Sequence, residues 1–176
     1  MRYTRNGVIV VAIAAGLALG LTKVAAQETI GEIVATIDGD PFEFHALAPD
    51  ASGAEYNTSL QVFGPMQIVS VMGFPPGRVT MRGTIQLTIT IPSGSLESYD
   101  QEVIYAPNGM SNMWVSLDGE DLITVEHFET TAAGGEVSGK LSGRVCLKES
   151  LFTEPDPDRC KTIEGTFSAR LPAAQS

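Results

Sequence analysis

Apolar and polar residues alternate along most of this chain. In "RVTMRGTIQLTITIP", Val79, Met81, Ile85, Leu87, Ile89 and Ile91 share one parity. Thr80, Arg82, Thr84, Gln86, Thr88 and Thr90 share the other. Side chains of a strand point alternately to opposite faces, so this segment predicts a strand with one buried and one wet face. It exceeds the usual strand length, which predicts a bend or bulge near Gly83. Helical spacing of apolar residues is nearly absent.

Turn chemistry divides the rest. "IVATIDGDPFEFHAL" and "MWVSLDGEDLITVEHF" each read as strand, Asp-Gly turn, strand, a weak internal similarity that any two hairpins would share. "YAPNGMSNMW" supplies a Pro-Asn-Gly turn. "FGPM" and "GFPPGR" mark turns around "QIVSVM", and "TTAAGGEV" joins two further strands. The count is about nine or ten short strands in an all-β chain. This predicts an antiparallel β-sandwich, with a small β-barrel as the alternative. The sandwich is preferred because prolines and long turns make full closure less natural.

The N-terminus departs from this pattern. Arg2 and Arg5 precede an uncharged apolar run from Gly7 to Leu21, and "VAA" follows at 24–26. That layout is a secretory signal peptide, with a mature chain expected to start at Gln27. The run is shorter than the roughly 20 residues of a membrane span, so no stable membrane anchor is expected after cleavage. Residues 27–176 then suit a single domain. Removing Arg2, Arg5 and Lys23 takes the formal charge from -10 to -13. So acidic a domain repels nucleic acid. The charged partners that fit are cations and basic proteins.

An oxidising destination gives meaning to the only two cysteines, Cys146 and Cys160. Both fall on the polar parity of their strands, which predicts a surface disulfide. Antiparallel pairing at Cys146 and Cys160 would set Gly139 opposite Phe167, Leu141 opposite Gly165, Gly143 opposite Ile163 and Glu136 opposite Arg170. Large then meets small three times and opposite charges meet once. A slip of one residue destroys these matches. The expected disulfide therefore clamps the loop holding Glu149, Glu154, Asp156 and Asp158, and pins the register of the final hairpin.

Chemistry is otherwise sparse. The acidic turns offer Asp38 and Asp40, and Asp118, Glu120 and Asp121, oxygen ligands of the kind calcium takes. No EF-hand loop accompanies them, and the reading adopted is plain turns. His45 and His127 alternate with Phe44 and Phe128, and read as strand histidines on the solvent side. No G-x-S-x-G elbow or metal-binding His spacing is present. Trp114 lies on the opposite parity from Met113, Val115 and Leu117, which makes it either an exposed aromatic or part of a second buried face. No cofactor is indicated.

The signal-peptide layout, "ATIDGDPFEFHAL" and the closing Cys146–Cys160 hairpin running into "IEGTFSARL" resemble small exported β-rich proteins of Gram-negative bacteria. The resemblance implies a periplasmic or secreted location and no particular activity. The expected function is non-catalytic: an interaction or structural module with a basic protein partner. A small-ligand or lipid carrier is the alternative.

Overall fold

The structure is a computed structural model and describes residues 27–49, 58–92, 95–131 and 133–174. The signal-peptide reading of residues 1–26 lies outside that range. The chain is all-β. Its strands are β1 (Thr29–Ile37), β2 (Asp40–Leu47), β3 (Ser59–Phe63), β4 (Met66–Phe74), β5 (Thr84–Ile91), β6 (Asp100–Ala106), β7 (Met113–Ser116), β8 (Ile123–Thr131), β9 (Gly134–Lys148) and β10 (Asp156–Leu171). All pair antiparallel in one sheet.

The ladders return to their start. β10 pairs β1, and the path runs on through β2, β4, β5, β6, β7 and β9 back to β10. Two staves of this ring are split. β2 and β3 lie end to end along one edge of β4, and β7 and β8 lie end to end along one edge of β9. The seams are narrow. His45↔Phe74 and Ala46↔Gly73 join β2 to β4, and Ile104↔Val115 and Tyr105↔Trp114 join β6 to β7. The ring is therefore uneven, and both a small flattened barrel and a sandwich joined at its edges describe it. Pro75, Pro76 and Pro155 fall outside the strands, and Pro157 stands at the start of β10 where its register with β9 is irregular, so these prolines do not obstruct closure.

Alternation fills the interior. Ile33, Val69, Val71, Ile85, Leu87, Val103, Val145 and Ile163 are fully buried within one core cluster that spans nearly every strand. Phe42, Phe44 and Tyr105 pack ring to ring, with centroids 5.8–6.4 Å apart. Gly139 and Gly165 let large neighbours approach. A Cβ on Gly139 would stand 2.9 Å from the Phe167 ring, and one on Gly165 would stand 2.2 Å from the Val34 carbonyl oxygen.

The last hairpin has the expected register. Cys146 pairs Cys160, Gly139 pairs Phe167, Leu141 pairs Gly165, Gly143 pairs Ile163 and Glu136 pairs Arg170. Asp38 and Gly39 both have positive φ (53° and 85°), as a two-residue type I′ hairpin between β1 and β2 requires.

Three expectations need correction. The strand expected from Val79 begins only at Thr84, because Gly83 turns the chain at φ 79° and donates its N–H to the Ala106 carbonyl. Val79 is 61% exposed as a result. The second Asp-Gly segment is no hairpin, since β7 and β8 both pair β9 and not each other. At that turn Gly119 has positive φ and Asp118 does not, so the type I′ geometry is missing. The disulfide is also not a surface feature on both sides, because Cys146 is fully buried.

Candidate functional site

The burial of Cys146 points to a second apolar surface. On the outer face of the ring one row runs Met72, Gln86, Ile104, Val115, Cys146, Cys160, each the registered partner of the next. In a half-wet sheet such a row would be polar. Here Met72 and Val115 are buried although they face away from the core, and so are Ala106 and Met113 on the same outer side. Together with Met81, Met110, Ile104 and Leu151 they line an open groove of about 190 Å³, with Glu102 and Lys148 among its polar residues.

Three connections build its rim. The stretch before β5 is held by the Gly83 N–H bond to Ala106 (2.8 Å) and by the Thr84 hydroxyl donating to the Met81 carbonyl (3.1 Å). The β6–β7 turn closes through the Gly109 N–H and the Ala106 carbonyl (3.2 Å), and a Cβ on Gly109 would lie 3.9 Å from the Met81 carbonyl oxygen. The Asn112 N–H then donates to the Glu149 carbonyl (3.2 Å), which ties that turn to the loop after β9. Met81, Met110 and Leu151 are thus brought to one mouth.

The loop after β9 carries the most exposed apolar residues here. Phe152 is 98% exposed and Leu151 56%, and Met110, on the facing β6–β7 turn, is 48% exposed. The loop is nonetheless well tied. Its ends are joined by the Cys146–Cys160 disulfide. The Ser150 N–H donates to the Thr153 hydroxyl oxygen (3.1 Å), the Thr153 N–H to the Ser150 carbonyl (3.3 Å) and the Phe152 N–H to the Ser150 hydroxyl oxygen (3.3 Å). Arg159 pairs with Glu149 at 3.2 Å. The signal for this tip in the sequence is "LF", two large apolar residues in an acid- and proline-rich connection whose acids alone do not reveal it.

The other candidates are placed apart. Asp38 accepts from Lys161 Nζ (2.5 Å) and the Thr162 N–H (2.9 Å). The Lys161 hydrogen bond above all holds its carboxyl below the usual range. The same ammonium lies 4.8 Å over the Trp114 ring, which packs against the core. β7 is therefore covered on both faces, and Trp114 belongs to the inner one. Burial pushes the nearby Tyr105 hydroxyl up. Glu120 pairs with Arg144 at 2.6 Å, and Asp121 accepts from Gln101 at 3.1 Å. Asp118, Glu120 and Asp121 share a surface cleft with Asp100, whereas Asp40 stays at the β1–β2 turn. His127, Ser138, Ser168, Glu32 and His45 form one outer row across five strands. Four strand spacings along the ring lie between the histidines, whose outward side chains therefore leave different sides of it and cannot share one ion. Among the described residues no three His, Cys, Asp or Glu side chains are grouped to hold a metal.

Comparison with protein-family models, curated proteins and solved structures finds no match for this chain. The disulfide fits an oxidising compartment. Among the described residues no helix is long and apolar enough to cross a membrane.

Proposed function

We propose that this protein is an exported, non-catalytic interaction module that grips a basic protein partner through the outer groove and the Leu151–Phe152 tip. The observation that carries the reading is the aromatic side chain of Phe152, 98% exposed on a loop that a disulfide and local hydrogen bonds hold in shape. Ordering a binding loop in advance lowers the entropy lost on association. Aromatic anchors commonly dominate binding energy. Glu149, Glu154, Asp156 and Asp158 flank the tip in sequence and favour a partner with Lys or Arg beside its own apolar anchor. Export follows from the N-terminal layout and is supported by the disulfide.

At this groove, size favours the side chains of a partner over an enclosed small molecule. Small-molecule sites usually enclose about 300–1,000 Å³. The groove holds about 190 Å³ and is open, which suits one or two side chains of a partner.

A photoreactive residue at position 152, expressed in cells that export the chain, tests the proposal. The mature protein is expected to begin at Gln27 and to yield one protein adduct through a segment that mixes apolar and basic residues. Leu151→Ser with a probe at position 110 should weaken that adduct at least about tenfold, the scale of a lost anchor. Unprocessed protein, or adduct formation indifferent to Leu151, would remove the basis for the reading.

A further inference from the structure

Sulfur is distributed unevenly in this molecule. The main core cluster is built from Ile, Val, Leu, Ala, Phe and Tyr and contains no methionine. Five methionines lie among the described residues, and four of them, Met72, Met81, Met110 and Met113, line this same outer groove. The fifth, Met66, sits at the β3–β4 turn. Filling an apolar surface does not require this segregation, since Leu and Ile do the same work a few ångströms away on the inner face.

The four come from separate pieces of chain. Met72 is on β4 and Met113 on β7. Met81 and Met110 sit on the two connections that meet at the mouth, where the Gly109 backbone approaches the Met81 carbonyl. A methionine side chain has three rotatable bonds, so thioethers anchored around one small space can swing into it. Met72 is buried on β4 with Met81 packed against its cluster, Met113 is buried three strand spacings away on β7, and Met110 remains 48% exposed, which leaves a way in.

Thioether sulfur is a neutral, soft donor. It binds hard cations such as calcium poorly and selects soft ones. We propose that the groove is a thioether site for a soft monovalent cation of the Cu(I) or Ag(I) kind, with Met81 and Met110 as the binding pair at the mouth and Met72, in the cluster that Met81 packs against, as the third sulfur; Met113, three strand spacings from Met72, lines the far end. Glu102 and Lys148 bring opposite charges to the lining, so the sulfurs decide the selectivity. A thioether carries no proton to displace. Binding should therefore be nearly flat with pH where a His or carboxylate site would titrate. The inference does not depend on the docking reading, because docking needs the apolar shape of these side chains and the metal needs their sulfur.

Silver nitrate in chloride-free buffer is the probe. It requires no reductant, so the Cys146–Cys160 disulfide stays closed and contributes no thiolate. On the full protein labelled at the methionine methyls, one equivalent of Ag(I) should shift the resonances of Met81, Met110 and Met72 most, that of Met113 less, and leave Met66 in place, equally at pH 5.5 and pH 8. Calcium should move none of them. Met81→Leu/Met110→Leu keeps the apolar volume and should weaken silver binding at least about tenfold with an unchanged melting temperature, while the adduct at position 152 persists. Leu151→Ser should do the reverse. Met66 shifting together with the groove methyls, no shift at one equivalent, or full-strength binding by the leucine variant would each overturn the proposal.

Discussion

Asp38 performs two tasks with one side chain. Its backbone takes the left-handed conformation that a type I′ turn needs, and its carboxylate binds Lys161 and the Thr162 N–H on β10. The first task any Asn would do, since Asn suits the same turn. The second needs charge. Asp38→Asn therefore isolates the electrostatic part. A carboxyl whose folded pKa is lowered contributes stability above the ordinary value of about 3.9, and that contribution is lost as pH falls through the lowered folded value. Melting curves should show the wild type more stable than Asp38→Asn near neutrality, with the gap closing in acid. The pair is partly exposed, so salt should narrow the gap as well. A gap that widens as pH falls would contradict the pairing with Lys161.

Among the elements, the β9–β10 hairpin was the most legible. Alternating glycines and large residues admit only one register without a clash, and that register appears. The β1–β2 hairpin was readable for a similar reason, because Asp-Gly at both left-handed positions leaves little choice. The β7–β8 segment carried the same dipeptide and misled. A turn signal reports that the chain bends, not which strand receives it, and β9 is long enough to receive both. The disulfide falls between these cases. Parity placed both cysteines on one outer face correctly, yet parity is silent about what covers that face. Val115 beside Cys146 and the apolar groove beyond it bury the sulfur. Removing the sulfurs should thus cost more than loop entropy alone. The chain-entropy model gives about 3 kcal/mol for a loop of 15 residues. Cys146→Ala/Cys160→Ala should add a smaller packing loss at Cys146, of the order of 1 kcal/mol for the atoms removed. Urea titrations of the oxidised, reduced and doubly substituted forms should place them in falling order of stability. Equal midpoints for the oxidised and reduced forms would show that the bond constrains nothing.

At the scale of the molecule, closure was the least legible property. It depends on two seams where strands barely touch, and no local pattern reports a seam. Beyond the two residue pairs of the β6–β7 seam, β6 faces β8 with no ladder at all. Side chains from the start of β6 and just before it stand in for backbone. The Tyr99 hydroxyl donates to the Ile123 carbonyl (2.8 Å) and accepts from the Val125 N–H (3.4 Å), and Gln101 accepts from the Ile123 N–H. These bonds occupy the edge of β8 that faces away from β9, where an unpaired strand would otherwise invite another chain. Tyr99→Phe removes the bridge and little else, because the ring still fills its place against the core. It leaves a half-buried carbonyl without its donor, which costs about 1–2 kcal/mol. The opening should be local. Amide exchange at Val125 should accelerate in the variant, whereas the β9–β10 amides on either side of the disulfide should exchange at rates that follow only the small global loss. Unchanged exchange at Val125 would mean that the ring is closed there by something other than Tyr99. Uniform acceleration across β9 and β10 would mean that the seam and the hairpin open as one unit.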